Sequence, residues 1–330
     1  MASLADIRAR IAAQENKSTG SSSQQADNAI YPHWNMDEGT NAVIRFLPDG
    51  NSNNTFFWVE RQIIKLSFNG VKGDSNVKQI TVQVPCVEMY GDSCPILAEV
   101  RPWYKDESLK EMANKYWKKR SYLFQGFVRQ NPLGDDKSPA NPIRRFIISP
   151  QIFTIIKSSL MDPEMEELPT DYVHGLDFRV TKTSKGGYAD YSTSTWSRKE
   201  SALTQAEQDA IEAHGLFNLA DFLPKKPGEA ELRVIKEMFE ASVDGQPYDN
   251  DRWGQYYRPY GLDAPAGAKV EEHTAAPVKA ATTTAPVADS NQFDEDDTVS
   301  QPVKVPSSAP SSDKAQDILA MIRARQNKAA

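Results

Sequence analysis

Cysteine is scarce in this chain, long apolar runs are missing, and so are the short signatures of the common catalytic sites. Two cysteines among 330 residues exclude a disulfide scaffold and point to a reducing compartment. No stretch approaches the roughly 20 apolar residues that a bilayer span needs. The opening MASLADIRARIAAQENK lacks the apolar segment of a secretory signal. A cytoplasmic protein with no membrane partner is expected. GxxxxGK[ST], HExxH and GxSxG are missing, and no GxGxxG follows a strand-like run. No pair of acids is spaced for two-metal phosphoryl chemistry. The expectation is therefore a protein that is not an enzyme. His33, His174, His214 and His273 sit at no ligand spacing from Cys86 or Cys94, and Leu97 stands where a CxxC would place its second thiol. A structural zinc site needs four ligands, so the reading is two unliganded cysteines and no cofactor.

Hydrophobic residues make up 39% of the chain, enough for a core with disordered flanks. The net charge of -7 argues against a uniformly basic surface, but the distribution is uneven. Between Arg101 and Arg129 lie eight Lys or Arg against three acids, while acids gather in Glu200–Asp251 and Asp294–Asp297. Local potential, not the total, decides what a face attracts.

Four regions follow. Residues 1–30 form an arm, in which Leu4, Ile7 and Ile11 at helical spacing bracket Arg8 and Arg10. Residues 31–260 form the core. Its strand-like runs are AVIRFLP, FFWVERQIIKLSF, KQITVQVPC, YLFQGFVRQ, RRFIISP and LDFRVTKTS, with YADYSTSTW returning after an SKGG turn. Helical spacing marks ESLKEMANKYWKK, SPQIFTIIKSSL, TQAEQDAIEAH and EAELRVIKEMFEA. Many short strands and few helices suit an α+β molecule built on a small closed barrel. Residues 261–312 are rich in Ala, Pro and Thr and read as a disordered acidic linker. Residues 313–330 return to a basic amphipathic helix, where Ile322–Arg325 repeats the Ile-Arg-Ala-Arg of Ile7–Arg10.

The constellation richest in chemistry is Tyr116-Trp117-Lys118-Lys119-Arg120-Ser121-Tyr122, with Tyr104 nearby. Single strands offer π-faces and phosphates, and this segment holds a partner for each. A solvated basic helix end with its rings in the core would look the same. Tyr188 and Tyr191 flank the return of a hairpin whose Gly186-Gly187 would let a ligand approach the backbone. The two tyrosines should point to opposite faces, so one can be core. Arg45 lies opposite Ile44 and Phe46 in its strand and either pairs with an acid or reaches a ligand.

Together these segments resemble the helix-destabilising single-stranded DNA-binding protein family of T4-type bacteriophages. The likeness runs patchily from about Ala42 to Trp196. AVIRFLP is similar to that family's first core strand, and Tyr90–Pro95 (YGDSCP) to its zinc loop. Lys118–Tyr122 resembles its basic-Ser/Thr motif, and Gly187–Tyr191 its Gly-aromatic-x-x-Tyr hairpin. The resemblance implies an OB-fold core with a cysteine-bearing lobe, cooperative coating of single-stranded DNA in replication, recombination and repair, and a location in the host cytoplasm. It also implies DNA contacts at Arg45, Lys118, Lys119, Arg120, Tyr122, Tyr188 and Tyr191, with Phe146 in the cleft and Tyr104, Tyr116 and Trp117 near it. Self-association is implied for the arm, through Ile7, Arg8 and Arg10, and recruitment of replication and recombination proteins for the tail. Departures are plain. The family binds zinc through one His and three Cys, of which only Cys86 and Cys94 remain here as remnants. The arm's motif is altered, and the acidic knot is followed by a basic helix. Ile322–Arg325 is expected to compete with Ile7–Arg10 for the neighbouring protomer. The alternative is a β-core interaction scaffold of the replication machinery, with incidental or RNA-directed binding.

Overall fold

Alternation of apolar and polar residues builds most of the molecule, because a strand buries one side and shows the other. The computed structural model describes residues 29–259, except 75–77, 135–138 and 166, together with residue 262. The arm residues Ile7, Arg8 and Arg10, nearly all of the expected linker and the helix 313–330 lie outside the described residues.

The described elements are β1 (Asn41–Phe46), β2 (Val59–Asn69), β3 (Gln79–Pro85), α1 (Pro95–Val100), α2 (Lys110–Tyr116), β4 (Lys119–Gln130), β5 (Arg144–Ile148) and α3 (Pro150–Leu160). There follow β6 (Leu176–Thr181), β7 (Thr183–Lys185), β8 (Tyr188–Asp190), β9 (Thr195–Glu200), α4 (Gln205–His214), α5 (Glu229–Val243) and α6 (Asn250–Trp253). The fold is mixed α+β around an antiparallel sheet ordered β3-β2-β4-β1-β6-β9, with β5 also paired to β4. β1 and β2 lie end to end along one edge of β4: Phe46 pairs with Gly126, and Val59 with Leu123. β5 takes the other edge of β4, from Tyr122 to Gly126.

The small closed barrel expected from the strand pattern does not form among the described residues. The sheet is not closed, because β5 and β9 do not pair. The free edge of β5 is occupied from another direction. Ile30 bridges Arg145 in parallel, the Tyr31 amide donates to the Arg145 carbonyl at 2.9 Å, and the Arg145 amide donates to the Ala29 carbonyl at 2.7 Å.

Two large cores flank this sheet. Ile44, Phe46, Phe124, Phe146, Ile148, Phe178, Val180 and Trp196 fill the inner side, sealed by Ile152 and Ile156 of α3. That helix starts at Ser149, whose hydroxyl accepts from the Ile152 amide, and carries Pro150 in its first turn, where no intrahelical donor is lost. The second core joins Ile64, Leu66 and Phe68 of β2 and Val82 and Val84 of β3 to Ile96, Tyr116, Met238, Phe239 and Trp253. Cys86 and Cys94 are both buried in it. The two thiols share a hydrogen bond, which lowers the proton affinity of Cys94 and, with burial, raises that of Cys86. A third, small cluster of Leu47, Phe127, Ile143 and Leu203 lies on the outer side of the sheet. No helix among the described residues is long and apolar enough to cross a membrane.

Candidate nucleic-acid interface

Strand pairing decides which side chains share a face, because residues directly opposite in an antiparallel pair point the same way. Arg61 pairs with Ser121, Ile63 with Lys119, Lys65 with Gln83, and Gln125 with Arg145. Arg45 pairs with Phe127, and Val43 with Arg179. The outer face of the sheet therefore carries Arg45, Arg61, Lys65, Lys119, Arg145 and Arg179, interleaved with Ser121, Leu123, Gln125 and Ile147. The rings of Phe46, Phe124, Phe146 and Phe178 fill the opposite side. A chain of net charge -7 thus gathers cations on one sheet face.

These cations differ in exposure. Lys119 is half-buried and Arg179 exposed, whereas Arg61, Lys65 and Arg145 are buried. The Arg61 Nε donates to the Ser121 hydroxyl at 3.1 Å, and burial pushes its guanidinium down to about 10. Arg145 lies over the Phe222 ring, its guanidinium carbon 3.7 Å from the ring centroid, with Phe217 at 5.7 Å. Both rings belong to the segment 215–226, a strap over the outer face.

The basic segment foreseen at Lys118–Tyr122 is divided by the pleat. Lys119 and Ser121 face outward. Arg120, which is exposed, and Tyr122 lie on the other side, and Tyr122 stacks on Phe153 at 3.5 Å in the inner core. Lys118 precedes the strand and is clamped, its Nζ donating to Glu88 at 2.9 Å and Gln62 at 3.0 Å. Tyr116 is buried in the second core with its hydroxyl 3.0 Å from that of Ser242, and burial raises its phenol to about 12. Tyr104 and Trp117 pack edge to face at 5.2 Å against the same core.

Arg45 is fully buried. Its Nη2 donates to the Asp171 carbonyl, under the segment 169–175. Burial lowers its guanidinium first, and Arg129 nearby adds to that. Arg129 is bound to Asp177 and Glu207, each at 2.7 Å. Phe146 is an inner-core ring. Of the hairpin tyrosines, Tyr188 stands 58% exposed and Tyr191 is buried beside His33 at 5.8 Å. The β7–β8 hairpin is tied to the first turn of α3: Gln151 donates to Asp190 at 2.6 Å and accepts from the Tyr191 amide at 2.9 Å.

Arg61, Lys65 and Arg145 went unnoticed in the sequence. The signal was there, because Arg61 and Lys65 sit an even number of residues apart in β2, and Arg145 immediately precedes the core ring Phe146. Cys86 and Cys94 stand together without further ligands, and no group of three His, Cys, Asp or Glu able to hold a metal occurs among the described residues. Comparison with protein-family models finds no match, and neither does comparison with curated proteins.

Proposed function

We propose that this chain binds single-stranded nucleic acid, DNA above all, along the outer face of the sheet, without catalysis. The carrying observation is the row of cations Arg61, Lys65, Lys119, Arg145 and Arg179 on one pleated face, with the exposed Tyr188 hairpin extending from the β6–β9 connection. Phosphates neutralised by such a row release counterions, and unpaired bases stack on an Arg plane or a ring.

Connectivity supports the reading of the core as an OB-fold. β1, β4, β5, α3, β6 and β9 follow in the order strand, strand, strand, helix, strand, strand, with β1 paired to both β4 and β6. Only the closing pair differs. In such barrels oligonucleotides lie on the second and third strands, between the first and last hairpin connections. Those strands here are β4 and β5, and the β6–β9 connection holds Tyr188. The lobe of β2, β3, α1 and α2 fills the connection between the first two barrel strands. With the resemblance to the phage helix-destabilising family, the role is cooperative coating of exposed strands during DNA replication, recombination and repair.

Fluorescence titration with oligo-dT across a salt series tests this. The log of affinity should fall with log salt at about -0.7 per phosphate contacted. Lys119→Ala should remove about one such contact for every sequence alike. A salt-independent response would favour the interaction scaffold, and tighter binding of oligo-rU would make RNA the ligand.

A further inference from the structure

We propose that residues 215–226 form a displaceable cover, in which Phe222 holds on Arg145 the position that an unpaired base takes when a strand binds. The proposal rests on the nucleic-acid reading above and adds to it where a base sits and how the site is kept shut.

The contact between Phe222 and Arg145 has the chemistry of base recognition: a flat π-system 3.7 Å from a guanidinium carbon. A pyrimidine or purine offers the same face. Phe217, edge to face with Phe222 at 5.5 Å, backs the ring. The strap presents rings rather than carboxylates to the sheet. Its one acid, Asp221, takes the side-chain amide of Asn218 at 2.9 Å.

The strap is pinned at its two ends. At the first, Gln125 donates to the Phe217 carbonyl at 2.8 Å and accepts from the Phe217 amide at 2.8 Å. The Leu219 amide donates to Asp49 at 3.0 Å, and the Gly50 amide to the Phe217 carbonyl at 2.9 Å. At the second, the Tyr90 hydroxyl donates to the Pro224 carbonyl. Lys226 meets Asp92 at 2.6 Å, with both side chains half exposed. Such a surface ion pair holds weakly and is screened by salt. Between the pins lies one short helical turn, Leu219–Phe222. Beneath it, closing the strap keeps Arg145 out of water, and Arg61 on the same face is equally buried.

A site that is open for only a fraction of the time binds more weakly by that fraction. Removing the competing ring should therefore tighten binding. Phe222→Ala is expected to bind oligo-dT roughly 3- to 30-fold more tightly than the wild type, the range of one cation–π contact. Arg145→Ala should bind more weakly than either. Because Phe222→Ala can also loosen the fold, hydrogen exchange on the wild-type chain gives a second measurement. Saturating oligo-dT should speed deuterium uptake in 215–226 while slowing it in β4 and β5. If the wild type binds but exchange in 215–226 is unchanged or slower, the cover is not displaced and the proposal falls alone. If neither the wild type nor Phe222→Ala binds at low salt, the nucleic-acid reading falls and takes the proposal with it.

Discussion

His33 is fully buried, edge to face with Trp34 at 5.4 Å and with Tyr191 at 5.8 Å. Burial pushes its imidazole down to about 4 from an ordinary value of 6.5. Its folded-state affinity for protons is thus lower than in the unfolded chain. The neutral ring is without cost above pH 6.5, and the unfolded state gains a proton first as pH falls. Stability should therefore drop between pH 6.5 and about 4, by about 3 kcal/mol from this group. Urea unfolding at pH 7.5 and 4.5 measures it, and His33→Gln should show a smaller loss across that window. An equal loss in both proteins would assign the acid sensitivity elsewhere. At this scale the sequence was half legible. Placing Arg45 opposite Ile44 and Phe46 was correct, because alternation is local. That it ends beneath residues 169–175 depends on a contact 126 residues away, which no local pattern encodes. Tyr188 and Tyr191 divide into exposed and buried as expected, but Tyr191 lies just past β8, and its tertiary contact with His33, not strand alternation, makes it core.

Elements were more legible than residues, since period and turn chemistry are short-range. The strand runs from AVIRFLP to LDFRVTKTS and the helices α2 to α5 coincide with observed elements. The return strand YADYSTSTW is split, its start pairing in β8 with β7 and its end in β9 with β6. Segment 215–226 had no periodic signal, and its place over the sheet comes entirely from long-range contacts. The close crossing of β1 and β4 is likewise invisible in sequence. A Cβ at Gly126 would overlap the carbonyl oxygen of Arg45, a backbone atom that cannot swing aside. Gly126→Ala should therefore cost about 3 kcal/mol, the upper end of overpacking penalties. Gly134→Ala, where an added Cβ meets nothing within 4 Å, is the control. Equal denaturation midpoints for these two variants would refute the close crossing.

For the whole molecule, the two large cores hang on one shared sheet, because β2 pairs with β4 on one edge and with β3 on the other. Loss of either core should be felt by both. Phe46, in contact with the rings of Phe57, Phe124, Phe146, Phe178 and Trp196, anchors the first. Phe239, packed on Trp103 and Tyr116, anchors the second. Phe46→Ala and Phe239→Ala should each cost about 3–5 kcal/mol. In both, unfolding followed by tryptophan fluorescence and by circular dichroism should remain one coincident transition. Separate midpoints would mean two independent units.

The second core is stitched from distant stretches of chain, Ile64–Tyr116 and Ile235–Trp253, with all of β4, β5, β6 and β9 between them in sequence. A ribosome delivers those stretches at different times. Every strand of the large sheet has emerged before α5 is synthesised, so the sheet can condense first while Leu66, Phe68, Val82 and Val84 still wait for that helix. A nascent chain or a fragment ending before Glu229 would leave the α5 side of that apolar surface bare, and would be the form most in need of a chaperone.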